Sequence, residues 1–180
     1  RRLDDLIESY LETTRLEDGA LPVHASAVDV DLMIEGIVDD EAETAKTHGL
    51  ALTAGAATGL TVRADPELLR RALTNLVGNA LKFTPAGGRV RVTASRGDHA
   101  VLLRVSDDGP GISSRDLPHI FDRFYQGENN RKGHGLGLGL TFCRAALRAM
   151  GGEVIVESEE GKGSVFTLRI PAADVVEASS

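Results

Sequence analysis

Three groups of residues in this sequence carry side chains at spacings suited to holding a flat, charged ligand. Over residues 66–82, Asn75, Asn79 and Lys82 recur at i, i+4 and i+7. A helix there stacks two carboxamides and an ammonium on one side, opposite Leu69, Leu73, Leu76, Val77 and Ala80. Carboxamide oxygens suit a hard cation and the ammonium suits phosphate, although the same residues also fit a plain solvated helix face. Asp107-Asp108-Gly109-Pro110-Gly111-Ile112 follows an apolar alternating run. An ionised acid there can accept a hydrogen bond from an exocyclic amine, and the glycines let a flat ligand approach. A simple Asp-Gly turn is the alternative. Gly133-His134-Gly135-Leu136-Gly137-Leu138-Gly139-Leu140 leads into an apolar run. Alternate glycines before a helix expose backbone N–H groups and the positive end of the helix dipole, which is an anion site. The alternative is a flexible lid with a close-packed helix. The segment lacks the Gly-Lys-Ser/Thr ending of a Walker loop and the strand that must precede a dinucleotide fingerprint.

The elements that must position these groups follow from periodicity and punctuation. Leu3, Leu6, Ile7, Tyr10, Leu11 and Thr14 predict an amphipathic helix over 1–18, ended by Gly19 and Pro22, with a domain boundary near 19–24. A short strand at 28–30, a helix over 31–48, and strands at 50–54 and 60–64 come next. Asp65-Pro66-Glu67 opens the helix at 66, with an N-capping acid before a proline whose missing N–H costs nothing. Strands at 89–95 and 100–106 flank the turn 96–99, a glycine-rich irregular stretch fills 107–135, and a helix over 136–150 precedes strands at 152–158 and 163–170. Hairpin strands separated by helices predict an α/β sandwich, a mixed and mostly antiparallel sheet covered on one face by three helices. The expected division is a helical stub at 1–19, a globular domain at 20–171 and a flexible tail at 172–180.

Composition narrows the classes. The chain has 180 residues, 42% hydrophobic and 26% charged, enough to bury roughly 70% of its unfolded surface without metal or disulfide staples. Its one cysteine, Cys143, excludes an internal disulfide. Twenty Lys and Arg against 27 Asp and Glu give a net charge of -7, which disfavours nucleic acid as the main partner. No run reaches the roughly 18 apolar residues of a membrane span, so no membrane contact and a cytoplasmic location are expected for this segment, whose parent can still be membrane-tethered. Arg1 reads as mid-helix, as in a piece of a longer chain.

Taken together and in this order, the groups resemble the catalytic ATP-binding domain of bacterial sensor histidine kinases, of the Bergerat or GHKL type shared with gyrase-like ATPases. Asn75-Leu76-Val77-Gly78-Asn79-Ala80-Leu81-Lys82-Phe83-Thr84-Pro85 looks like the N box, and Asp107-Asp108-Gly109-Pro110-Gly111 like the first glycine box. Ile120-Phe121-Asp122-Arg123-Phe124-Tyr125 looks like the F box, Gly133 to Leu138 like the second glycine box, and Gly151-Gly152 with Gly161-Lys162-Gly163-Ser164 like the closing hairpin. The resemblance covers roughly residues 20–171.

The resemblance implies ATP and Mg²⁺ as ligands. Asp107 would bind the adenine amino group, with Gly109, Gly111 and Ile112 around the ring. Asn79 would ligate Mg²⁺, with Asn75 supporting it, and Lys82 would contact phosphate beside Phe83. The backbone at Gly135, Leu136, Gly137 and Leu138 would cradle the phosphates, with Gly133 and His134 also at the ATP site. Phe121 and Phe124 would seat a lid over 125–134, with Tyr125 near the base; both phenylalanines read equally well as core. Hydrolytic relatives resembling gyrase, Hsp90 and MutL carry a glutamate at the Asn75 position, and an asparagine cannot serve as general base, so direct hydrolysis should be slow. Gln126 stands where the family often has an arginine, with Arg123, Arg131 or Lys132 as substitutes, and Asp108 replaces a frequent asparagine.

None of His24, His48, His99, His119 or His134 lies in the family's phosphoacceptor motif. The acceptor, and with it any catalytic acid or base, is therefore expected upstream of Arg1. The implied partners are an upstream dimeric phosphoacceptor helical domain and a response regulator receiver domain. The alternatives are a non-catalytic nucleotide-binding module, which Gln126 favours, and a gyrase-type ATPase, which Asn75 opposes.

Overall fold

The computed structural model describes residues 2–127 and 137–172. Helix α1 spans Arg2–Glu17 and ends at Gly19 in the left-handed region, φ 66°. Strand β1 (Ser26–Asp29) runs straight into α2 (Val30–Thr47), where Asp29 caps the helix by accepting from the Leu32 N–H. Strands β2 (Ala51–Ala54) and β3 (Thr61–Ala64) lead to α3 (Pro66–Phe83). The Asp65 carboxylate accepts from Glu67 and Leu68 and, from a distant loop, His24. One acid thus caps α3 and ties down the chain that follows α1. Then come β4 (Arg89–Gly97), β5 (Ala100–Asp107), α4 (Gly139–Ala149), β6 (Glu153–Glu159) and β7 (Gly163–Pro171).

Five strands form one sheet in the order β2-β4-β5-β7-β6, antiparallel except for β2 against β4; β1 and β3 pair separately. The mixed, mostly antiparallel sheet and the helices on one face match the expected architecture. The inward rows are apolar and in register: Val101 faces Ile170, Leu103 faces Leu168, and Val105 faces Phe166. Those side chains, with Val90 and Val92, are buried under α2, α3 and α4. Outward positions such as Arg91, Arg104 and Ser106 alternate with them. On α3 the predicted stripe is buried, and Leu68, Ala72 and Leu81 widen it because the helix is packed between α2, α4 and the sheet. Each fully buried Leu, Val or Phe here contributes about 1.5–3 kcal/mol relative to exposure.

Most boundaries fall within two residues of expectation, and the start of α4 is displaced further. Helix α4 begins at Gly139 rather than 136. Gly137 has φ 69°, and a Cβ there would lie 2.6 Å from the Phe124 carbonyl carbon and from the Tyr125 oxygen. The backbone at 137 is thus committed to a close crossing with 124–125, and the helix can start only after it. Of the second glycine box, Gly133, His134, Gly135 and Leu136 lie outside the described residues.

Candidate nucleotide site

A cavity of about 340 Å³ opens between α3, the segment after β5 and the start of α4. From α3 it takes Asn79, Lys82 and Phe83 over a floor of Leu76 and Ala80; from the first glycine box Asp107, Gly111 and Ile112; and beyond that Tyr125 and Gly137. The elements therefore bring together the acid, the carboxamide and the ammonium singled out in the sequence.

Asp107 is the most worked position. It ends β5, and its carboxylate accepts from the Gly109 N–H, through Oδ1 at 2.9 Å, and from the backbone of Ser164. Burial pushes its pKa up, opposed by those two N–H donors, while neighbouring Asp108 adds to the rise. Gly109 braces this acid rather than lining the cavity: a Cβ there would lie 2.7 Å from Asp107 Oδ1. Asp108 points the other way, accepting from the Arg89 N–H at 2.5 Å, which holds its carboxyl below the usual range. Gly111, at φ 69°, lines the cavity, yet its lack of a side chain is demanded from behind, where a Cβ would lie 2.0 Å from the Glu159 carbonyl oxygen. The β6–β7 turn locks the same loop through the Gly161 N–H, which donates to Pro110 O at 2.7 Å.

Lys82 has its pKa lowered by partial burial, and its Nζ lies 4.5 Å from the centre of the Phe83 ring. Tyr125 lines the cavity and donates its hydroxyl to Asp116 Oδ1 at 2.7 Å; its ring sits 5.5 Å from that of His119.

Besides Gly109, three more of the expected residues are off the cavity wall. Asn75 is absent from the cavity wall and sits at the α3–α4 seam, where a Cβ on Gly139 would lie 3.7 Å from its Cγ. Phe124 turns its ring away, 57% exposed and stacked on Tyr10 of α1 at 5.9 Å, on a left-handed backbone of φ 63°. Leu138 is buried at the head of α4, its carbonyl accepting from Phe142. Phe121 packs partly buried against the core, with the Arg144 guanidinium 5.6 Å from its ring.

Sequence reasoning missed Asp116, Ile120, Ser164 and Phe166, all on the wall. Ser164 reaches the wall through strand register, because β5 and β7 pair Asp107 with it, and no local pattern in the sequence signals that pairing. Asp116 had no local signal, since its role comes from Tyr125 folding back onto it. Among the described residues no cluster of three or more His, Cys, Asp or Glu could hold a metal, so a cation here would rest on a carboxamide such as Asn79 together with ligand oxygens. No helix among the described residues is long and apolar enough to cross a membrane.

Comparison with known proteins bears on the family and the fold. Residues 64–174 match the family described as histidine kinase-, DNA gyrase B- and HSP90-like ATPase. The signal transduction histidine-protein kinase AfsQ2 of Streptomyces coelicolor is 41% identical over 95% of this chain and 31% of its own length. The sensor protein ChvG of Agrobacterium fabrum is 34% identical over 98% of this chain and 32% of its own. The chain thus spans about a third of the length of these curated relatives. Among solved structures, full-length ShkA in complex with AMPPNP superposes with a TM-score of 0.85 at 33% identity, over 96% of this chain and 36% of that one.

Proposed function

This chain belongs to the histidine kinase-, DNA gyrase B- and HSP90-like ATPase family, and from that premise we propose that it is the ATP-binding catalytic domain of a two-component sensor histidine kinase. It binds ATP with Mg²⁺ and presents the γ-phosphate to a histidine on an upstream helical domain, from which phosphate passes to a receiver aspartate of a response regulator. The observation that carries this is the shared cavity of Asp107, Asn79 and Lys82, an acceptor for an amine beside donors for metal and phosphate.

In this reading the half-buried Asp107 carboxylate accepts from the adenine amino group, and the Gly109 and Ser164 N–H groups keep it aimed. Asn79 would offer its amide oxygen to Mg²⁺, a hard cation that favours oxygen donors. Bound there, the ion neutralises charge developing on the phosphoryl group. Lys82 supplies a point charge to phosphate, and its partial desolvation strengthens that attraction.

Water is a poor competitor for the phosphoryl group. Asn75 is not basic, and the wall carboxylates are engaged as acceptors, Asp107 by two N–H groups and Asp116 by the Tyr125 hydroxyl. This favours the kinase over a gyrase-type ATPase. Calorimetric titration with ATP, with and without Mg²⁺, and an assay of the same sample for phosphate test the reading. Binding that strengthens with Mg²⁺ without steady phosphate release is expected; steady turnover moves the protein to the ATPase branch, and no binding removes the nucleotide reading.

A further inference from the structure

Thr84 closes α3, its backbone N–H donating to the Ala80 carbonyl at 3.0 Å, and only 5% of the residue is exposed. Among the described residues its hydroxyl is the one buried side-chain polar atom that no hydrogen bond satisfies. Such a group costs free energy unless it finds a partner, and inside a protein an ordered water is a common one. The side chain is wedged so that the hydroxyl has a direction. A Cβ on Gly88 would overlap the Thr84 Cγ2, which places the methyl against the chain entering β4. Oγ1 instead borders Gly109, where a Cβ would lie 3.4 Å from it and 2.7 Å from Asp107 Oδ1. The two oxygens thus flank one point without bonding directly, and a single water with two hydrogen bonds of about 2.8 Å spans a gap of this kind.

We propose that Thr84 is a positioning residue for Asp107: from behind the cavity wall its hydroxyl holds one buried water against Oδ1, which keeps the carboxylate aimed at the ligand. Asp107 lines the cavity and Thr84 does not, so the hydroxyl acts through the acid and never on the ligand itself. Gly109 contributes the room, since a side chain there would crowd both oxygens. A carboxylate offers about four acceptor sites. The Gly109 N–H, the Ser164 backbone and the water fill three of them, which leaves one for a donor on the ligand. An amine can take that site, whereas a ligand that brings an acceptor meets only lone pairs. Thr84 thereby tightens the choice of base without touching it.

The inference rests on the nucleotide-binding reading above, and its test separates the two. Wild type, Thr84→Val, Thr84→Ala and Thr84→Ser are titrated in Mg²⁺ with ATP and with purine riboside triphosphate, which lacks the amino group, and their melting temperatures are recorded. Thr84→Val keeps the shape and deletes the hydroxyl. It should weaken ATP binding about three- to tenfold, as expected for one hydrogen bond, and leave the amino-free nucleotide within about twofold of wild type. Thr84→Ala, which adds no methyl at the hydroxyl position, should do the same. Thr84→Ser keeps the hydroxyl and should bind ATP within about twofold of wild type. In an Asp107→Asn background, Thr84→Val should have no further effect on ATP binding. A raised melting temperature for Thr84→Val with unchanged ATP affinity would mark the hydroxyl as an unsatisfied group and overturn the positioning role, as would equal weakening of both nucleotides or failure of serine to restore binding. A wild type that binds both nucleotides alike overturns this inference while nucleotide binding stands, and one that binds neither overturns the reading beneath it as well.

Discussion

A Cβ on Gly163 would lie 2.0 Å from the carbonyl oxygen of Asp107, so the turn that opens β7 and the acid that ends β5 can be neighbours only with glycine at 163. Gly163 is also left-handed, at φ 95°. Strain and clash add, and Gly163→Ala should cost about 3 kcal/mol or more and displace the Asp107 carboxylate. Gly161 is a control in the same turn: its φ is 83°, but nothing lies within 4 Å of its missing Cβ. Gly161→Ala should cost only about 1–2 kcal/mol. Urea denaturation of both variants, with ATP titration, checks the difference; equal losses would show that crowding at Asp107 is not the cause.

Burial raises the Asp107 pKa above 3.8, so the folded chain keeps this proton to a higher pH than the unfolded chain. As pH rises from 3.8 through the raised folded value, the unfolded state loses its proton first, and Asp107 then withdraws stability from the fold. Asp107→Asn removes that loss. The variant should gain stability relative to wild type as pH rises through this window, while binding ATP at least about tenfold more weakly for want of a charged acceptor. Opposite signs for stability and affinity are the diagnostic. Denaturation at a series of pH values and calorimetry measure them, and a variant losing both would mean that the carboxylate is there to hold the loop.

The Tyr125 hydroxyl donates to Asp116, an acid only 7% exposed on the cavity wall. Tyr125→Phe keeps the ring beside His119 and deletes the donor. Weakening one of Asp116's contacts should destabilise the protein by about 1–2 kcal/mol, with a modest loss of ATP affinity. If the tyrosine works by stacking on the base instead, the phenylalanine variant will bind ATP like wild type, and only an alanine will fail.

The parts of the site that were legible in the sequence are those carried by one element. Asp65-Pro66 fixed where α3 starts, and from there helical spacing alone put Asn79 and Lys82 on a common face. Asp107 was legible because a strand ends there in glycines. What could not be read is pairing across the chain. Ser164 reaches Asp107 through strand register, and Asp116 meets Tyr125 through a fold-back that has no periodicity. Asn75 shares a helix face with Asn79 but faces α4 because that helix packs there, a tertiary fact. Phe124 read as a hinge or core residue, and its exposed ring depends on Tyr10 of α1, an element whose docking no local pattern announced.

That docking is specific enough to be measured. Helix α1 lies on α4, burying Thr13 and Leu16, with Glu12 paired to Arg71 and Glu17 to Arg123. The Arg123 guanidinium also sits 5.1 Å from the centre of the Tyr10 ring. Ion pairs this exposed contribute about 0–1 kcal/mol each, so apolar contact dominates. Leu16→Ala should therefore destabilise the domain by about 2–3 kcal/mol, whereas Glu17→Gln should cost under about 1 kcal/mol and lose that effect in high salt. If α1 instead belongs wholly to the preceding helical domain and is not held here, Leu16→Ala will leave the denaturation midpoint of this chain unmoved.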